Sequence, residues 1–358
     1  MTLTILNVAY PLAPVGPDAV GGAEQILSAL DAALVRAGHR SIVLACEGSR
    51  AEGSLIPVPR QRDSLDDAAV NAVHLRHAQA LRGLLRQTHV DLVHMHGIDF
   101  HCYLPPSGVS VLATLHLPIS WYPPHALQPT RPDTWLNCVS VSQHAAAPQS
   151  ANLLVPIGNG VPVEKFVGRH AKRRFALVLG RICPEKGVHI AIDAVKRAGI
   201  PLLIAGEVFA YEAHRRYFEQ EVRPRLDSWR RFIGPLGFAR KRRLLAAARC
   251  LLVPCLAEET SSLVAREALA SGTPVIAFDR GAMRETLDHA KTGFLVKDEK
   301  SMAEAIGLVD EIDPEACRVV ARERFSLHQM TEQYLELYQR LAGVQSSISN
   351  SFPVVTAA

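Results

Sequence analysis

CLLVPCLAEETSSLVAREALASGTPVIAF, residues 250–278, is the stretch on which the reading of the fold turns. An unbroken apolar run at 250–254 has the length and β-branched content of a buried strand. A polar loop with Glu258 and Glu259 follows, and Thr260, Ser261 and Ser262 offer side chains suited to cap a helix start. Residues 262–270 then read as a helix, stopped by Gly272, and 274–278 (PVIAF) is a second buried run. Two buried strands joined by a helix form a β–α–β crossover, the unit of a parallel sheet.

Working outward, the same unit recurs. Upstream in this half, 175–179 (FALVL), 201–205 (PLLIA) and 231–233 read as strands, with helices at 188–198 and 241–248. The first half reads alike. Strands are predicted at 3–9, 41–46, 91–95, 109–114 and 137–141, with helices at 23–37 and 70–85. Residues 26, 27, 30 and 34 give the first of these helices its apolar stripe. The whole is α/β, with two doubly wound Rossmann-like domains in series, and such sheets bind ligands beyond the carboxyl ends of their strands. The expected division is 1–168, 169–325, a last helix within 326–343, and an aperiodic tail at 344–358 expected to be disordered.

With 358 residues, 48% hydrophobic and 21% charged, the chain has apolar material for two cores. A net charge of +4 is too small to argue for nucleic acid, and no aromatic interleaving supports it. Seven scattered cysteines without a C-x-x-C fit reduced thiols and a cytoplasmic setting better than disulfides or a zinc site. The first ten residues read as a strand rather than a leader, and no apolar run reaches the length of a membrane span. The basic runs at 169–174 and 240–243 are read as solvated surface, with weak peripheral contact to anionic lipid as the alternative.

Four groups of residues carry chemistry. The first turn of the helix after Ser262 leaves the N–H groups near Leu263 and Val264 free, a site that suits a diphosphate. Glu259 lies just ahead of that turn and Glu267 two turns inside it, so a ligand along the helix start meets both carboxylates, which accept hydrogen bonds from hydroxyls. Either glutamate alone reads more simply as a helix-charge partner; the pair in this context favours function. In Gly180–Gly187 (GRICPEKG), Arg181 offers a planar fork and Lys186 a point charge for phosphate oxygens. Gly21 and Gly22, at a loop–helix junction, allow close backbone approach to a ligand. His94, His96 and His116 fall at strand ends, where polar ligands bind; a metal pair at His94 and His96 is discounted because no further ligand stands at suitable spacing. Tyr10, Trp121 and Tyr122 lie on first-half loops suited to an acceptor.

Together GGAE, TLH, GRxxPEKG and the two glutamates seven residues apart, followed by ALASGTPVIA, resemble the retaining glycosyltransferases of family 4, which have the GT-B fold. The resemblance covers most of the chain. It implies a nucleotide-sugar donor held by the second domain and a hydroxyl acceptor by the first: a saccharide, a lipid-linked saccharide or a small molecule. By matching position, Arg181 and Lys186 bind the diphosphate, Glu259 the donor sugar, Glu267 the ribose and His116 a donor hydroxyl. Pro235 and Leu236 lie where relatives hold the base, and residues 279–283 (DRGAM) where they contact the donor. The resemblance implies hexosyl transfer with retention, by a front-face step needing no metal or cofactor; the base is left open between UDP, which is favoured, and GDP. One departure stands out: Thr260-Ser261-Ser262 replaces the Gly-Phe-Gly of many relatives, so hydroxyls there are expected to compete for the ligand. The rivals are a non-catalytic binding protein, a GT-B epimerase or phosphorylase, and a dinucleotide-dependent oxidoreductase. The last is disfavoured because no G-x-G-x-x-G follows the first strand.

Overall fold

The computed structural model describes residues 2–61, 66–168 and 171–343. The tail expected at 344–358 and the start of the basic run at 169–170 lie outside them. Two parallel sheets form the framework. The first contains β1 (Thr4–Val8), β2 (Arg40–Cys46), β3 (Ser54–Val58), β4 (Leu92–Met95), β5 (Ser110–Leu115), β6 (Thr134–Cys138) and β7 (Leu153–Leu154), in the order β3-β2-β1-β4-β5-β6-β7. The second contains β8 (Ala176–Leu179), β9 (Leu202–Ala205), β10 (Arg230–Phe232), β11 (Cys250–Val253), β12 (Val275–Phe278) and β13 (Gly293–Val296), in the order β10-β9-β8-β11-β12-β13. Both sheets reverse direction of winding beside their first strand, β1 or β8, the point at which doubly wound sheets open a ligand crevice.

The central strands are buried on both faces because their side chains are almost all apolar: every residue of β4, β11 and β12 is buried, and His94 is the single polar member. The predicted strands are present within a few residues, whereas β3, β7 and β13 were not anticipated. The strand expected at 137–141 runs instead from Thr134 to Cys138, and Val141 begins a short helix capped by Ser140. Helices Glu299–Leu308 and Pro314–Arg324 were also not anticipated.

Helix Leu327–Leu341 returns from the second half to the first. Its Tyr334 hydroxyl meets Thr114 Oγ1 and accepts from Asn137 Nδ2, at 3.2 and 3.0 Å, and its Tyr338 hydroxyl bonds His94 Nδ1 at 2.8 Å. The halves also touch at the cleft. The Glu285 carboxylate accepts from Val141 N and Ser142 N at 2.8 and 2.6 Å, and Thr260 Oγ1 donates to the His116 carbonyl at 2.8 Å. No helix among the described residues is long and apolar enough to cross a membrane.

Candidate active site

The second-half site is assembled from three adjacent elements. After β8 the chain turns at Gly180, runs through Arg181 and a single helical turn at Pro184–Lys186, and reverses at Gly187. Gly187 has a left-handed φ of +59°, and a Cβ there would lie 2.2 Å from the Pro254 carbonyl, so the loop can press onto the end of β11 only with glycine. Leu256 N donates to Glu185 O at 2.7 Å and locks the contact. This close approach delivers Lys186 Nζ to 2.7 Å from Glu259 Oε2.

The pair is electrostatically matched. Burial pushes the Lys186 ammonium down, but Glu259 outweighs it and the net direction is up. Burial likewise pushes the Glu259 carboxyl up, while Lys186 and, more weakly, Arg181 hold it below its ordinary value. Arg181 makes no side-chain hydrogen bond or ion pair among the described residues, although it acts on Glu259 and on Glu24. Cations one of which is already spoken for and one of which is not leave net positive charge for an anionic ligand.

Helix Leu263–Ala270 starts three residues beyond Glu259's neighbour Thr260, with Ser262 at its N-cap. The predicted hydroxyl capping does not form. Ser262 makes no cap bond, Ser261 Oγ is buried without a partner, and Thr260 spends its hydroxyl on His116 O. The competition expected from these hydroxyls is therefore removed at Thr260, and the first-turn N–H groups of Leu263 and Val264 keep no side-chain acceptor. Gly22 approaches from the first half: a Cβ on it would sit 3.4 Å from Leu263 Cδ1. Gly21 lies under the folded-back carboxylate of Glu24.

Glu267 is not the exposed helix partner that its spacing allows. It is buried, and Oε1 is 2.5 Å from Lys241 Nζ, while Oε2 has no partner. Burial raises its carboxyl above the ordinary value, with Lys241 opposing. Beside it lies a pocket shared by both halves, lined by Gly180, Gly206, Leu236, Lys241 and Val264 of the second and Gln25 of the first, with Pro235 at its rim. Residues 279–283 reach the site through backbone: Ala282 N donates to Glu259 O at 2.6 Å, and Gly281, at φ +54°, leaves no room for a Cβ against Glu259.

On the first-half side the predicted residues divide. His116 is half-buried and its Nε2 meets His96 Nδ1 at 3.1 Å; burial pushes the His116 imidazole down to about 4. His96 is buried, with Nε2 unpartnered. His94 is not available to an acceptor: it is fully buried, and Thr114 and Tyr338 occupy both ring nitrogens at 2.8 Å. Those same bonds remove it from any metal pair. Tyr122 is also buried, packed near Phe100 with its hydroxyl accepting from Leu117 N at 3.3 Å, so it packs the loop and cannot stack on a sugar. Trp121 beside it is 40% exposed. Tyr10 is half-buried, and burial raises its hydroxyl, with Tyr211 of the second half adding to the shift.

Sequence reading missed Lys241 and Glu24. Lys241 lies within the basic run 240–243, which reads as one exposed surface; helix Phe238–Ala247 turns it inward while Arg240, Arg242 and Arg243 stay exposed. Glu24 was visible as the acid of GGAE, but its burial against Gly21 depends on the fold of the loop.

Family models match both halves of the chain. The model of the glycosyl transferases group 1 matches residues 173–309, and that of glycosyltransferase family 4 matches residues 20–147. The phosphatidyl-myo-inositol mannosyltransferase of Mycobacterium tuberculosis is 28% identical over 212 residues, covering 53% of this chain and 54% of that protein. The chain thus spans about half the length of the curated relatives it matches. Among solved structures, sucrose-phosphate synthase from Thermosynechococcus elongatus superposes with a TM-score of 0.77 at 19% identity, over 96% of this chain and all of that one. Anabaena HepE in complex with UDP-glucose superposes with a TM-score of 0.73 at 17% identity, over 94% and 100% of the two chains. At such identities the structural likeness shows the fold, the two-domain GT-B arrangement.

Proposed function

We propose that this chain, which belongs to glycosyltransferase family 4, transfers a hexosyl group from a nucleoside-diphosphate sugar to a hydroxyl acceptor with retention of configuration. The observation that carries this reading is the Lys186–Glu259 pair set before the uncapped start of helix Leu263–Ala270, with the Arg181 guanidinium unpaired beside it. The diphosphate lies across that helix start, against Arg181 and Lys186. These cations take up the negative charge that grows as the anomeric C–O bond breaks, in place of a metal ion. Glu259 orients the donor sugar through its hydroxyls. The unpartnered Oε2 of Glu267 accepts from a ribose hydroxyl, and Pro235 and Leu236 border the base.

The acceptor oxygen attacks from the face that the diphosphate leaves, and its proton passes to the departing phosphate oxygen. Configuration is retained without an enzyme nucleophile. His116 stays neutral and meets a donor hydroxyl, and His96, Trp121 and Tyr10 border the acceptor. UDP is the favoured nucleotide, supported by the UDP-glucose complex of the structurally similar Anabaena protein. The acceptor is a saccharide, a lipid-linked saccharide or a small hydroxyl compound, and we place the reaction in the cytoplasm, with weak lipid contact through the exposed arginines of 240–243.

Thermal-shift screening against UDP-, GDP- and ADP-sugars tests the donor side, because a ligand held at a hundred times its Kd adds about 2.7 kcal/mol of stability. A shift with UDP-sugars, donor turnover without added metal, and an axial product from an axial donor are expected. No shift with any nucleotide sugar, or an inverted product, overturns the reading.

A further inference from the structure

On the loop that carries Arg181 and Lys186, three side chains have no part in the donor site: Cys183, Glu185 and, from helix Glu212–Tyr217, His214. The Cys183 Sγ, a Glu185 carboxylate oxygen and a ring nitrogen of His214 all lie within 4.8 Å of one another. Cys183 is 1% exposed and His214 9%, while Glu185 is half-buried. The fold brings them together for local reasons. Cys183 is the N-cap of the turn Pro184–Lys186, so Glu185 follows at its first turn, and the helix that covers this loop presents His214 to it.

Cys183 and Glu185 act on each other as a hydrogen-bonded pair, whereas His214 is left unsatisfied by the protein. His214 makes no side-chain hydrogen bond among the described residues, and its Nδ1 is fully shielded. Its neighbours are the rings of Tyr211 and Phe209. The Cys183 thiol lies 3.9 Å from a backbone carbonyl, Arg181 O, and turns towards the Glu185 carboxylate. A buried polar ring without a partner is costly, so a ring placed beside a thiol and a carboxylate has reason to hold a ligand.

We propose that Cys183, Glu185 and His214 bind one divalent ion of the zinc class, with a fourth position open to water. A thiolate, an imidazole and a carboxylate form a set that a borderline-soft, tetrahedral ion prefers over magnesium or calcium. Bonds of about 2.0–2.3 Å place tetrahedral ligand atoms roughly 3.3–3.8 Å apart, so the three groups draw together on binding. The metal-binding form is the thiolate, so binding releases the thiol proton to solvent. The ion clamps the loop to helix Glu212–Tyr217. None of its ligands is among the residues assigned to the donor phosphates, although Arg181 and Lys186 of the same loop lie within electrostatic reach, and it does not depend on the proposed transfer reaction.

The test is cobalt(II) titration of the chelator-stripped, full-length protein, followed by thiolate-to-cobalt charge-transfer absorbance. The wild-type protein is expected to take up one equivalent with a charge-transfer band, and zinc to displace it. Cys183→Ala abolishes the band, and His214→Gln and Glu185→Gln each weaken binding by about tenfold or more, as even loss of an outer partner to a metal ligand does. Each variant is first checked for a native circular-dichroism spectrum. Should Cys183→Ala fail to fold, Glu185→Gln, at a half-buried position, and His214→Gln decide the matter. Absence of the band in the wild type, or cobalt affinity unchanged in His214→Gln and Glu185→Gln, overturns the proposal.

Discussion

The two sides of the cleft solve the burial of polar groups in opposite ways. On the second-half side, charge is buried in pairs that are left incomplete. Lys186 holds one oxygen of Glu259, Lys241 holds one oxygen of Glu267, Glu267 Oε2 has no partner, and the Arg181 guanidinium is unpaired. On the first-half side, the corresponding strand ends carry histidines that burial keeps neutral, with His94 sealed by Thr114 and Tyr338. Both sides derive from the same crossover architecture, so the difference lies in residue choice at the strand ends. Incomplete charge suits a multiply charged ligand with hydroxyls. Neutral imidazoles suit an uncharged one.

The largest effect that would break this contrast is expected at Arg181. Arg181→Ala removes a cation with no structural partner, so kcat/KM should fall by about 100- to 1,000-fold. Folding stability should change by no more than about 0.5 kcal/mol, the range of a surface change without a partner. Steady-state kinetics and denaturant melts measure the two. Near-normal turnover would remove the charged side from the reaction, and a large stability loss would show that Arg181 is structural after all.

A smaller effect is expected at Glu267. Glu267→Gln keeps the shape but removes the charge that both Lys241 and a ligand hydroxyl meet. Hydrogen bonds to a charged group contribute about 1.5–3 kcal/mol, so UDP affinity measured by calorimetry should fall by about 10- to 100-fold. An unchanged Kd would mean that the free Oε2 faces no ligand and that the incompleteness of this pair has another cause.

How much of this was legible in the sequence depends on distance along the chain. Strands such as β8, β11 and β12 are short apolar runs bounded by glycine or proline, and they announce themselves. The edge strand β3 carries Pro57 and half-buried residues, and β7 has two residues, so neither produces a period. Helices Glu299–Leu308 and Pro314–Arg324 hide short buried stripes among charges. In the candidate site, Arg181, Lys186 and Glu259 stood out because each sits at a local strand-to-helix junction, and Glu267 by its spacing from Glu259. Whether a residue is shut away was not readable. His94 is closed by Tyr338, which is 244 positions later, and Lys241 turns inward from a run of arginines that looks uniform.

The same burial of neutral imidazole can be tested through pH at another first-half histidine, His77 of helix Asp67–Gln87. It is fully buried, it packs edge-on to Tyr103 at 5.0 Å between ring centroids, and neither ring nitrogen makes a well-formed hydrogen bond among the described residues, Asp99 and the Ala9 backbone opposing burial only in part. Burial pushes its imidazole down to about 4. In the unfolded chain the same ring titrates near 6.5, so below that pH the unfolded state binds the extra proton and folding stability is lost as pH falls from 6.5 towards 4. Between pH 7 and 4.5 this one ring should cost about 2–3 kcal/mol, at 1.36 kcal/mol per pH unit. His77→Phe keeps the aromatic packing and cannot take up a proton. Its stability, from denaturant melts at the two pH values, should therefore fall by that much less than the wild type's. Equal losses in the two proteins would mean that His77 finds a proton partner in the folded state, and the neutral character of this side would no longer follow from burial.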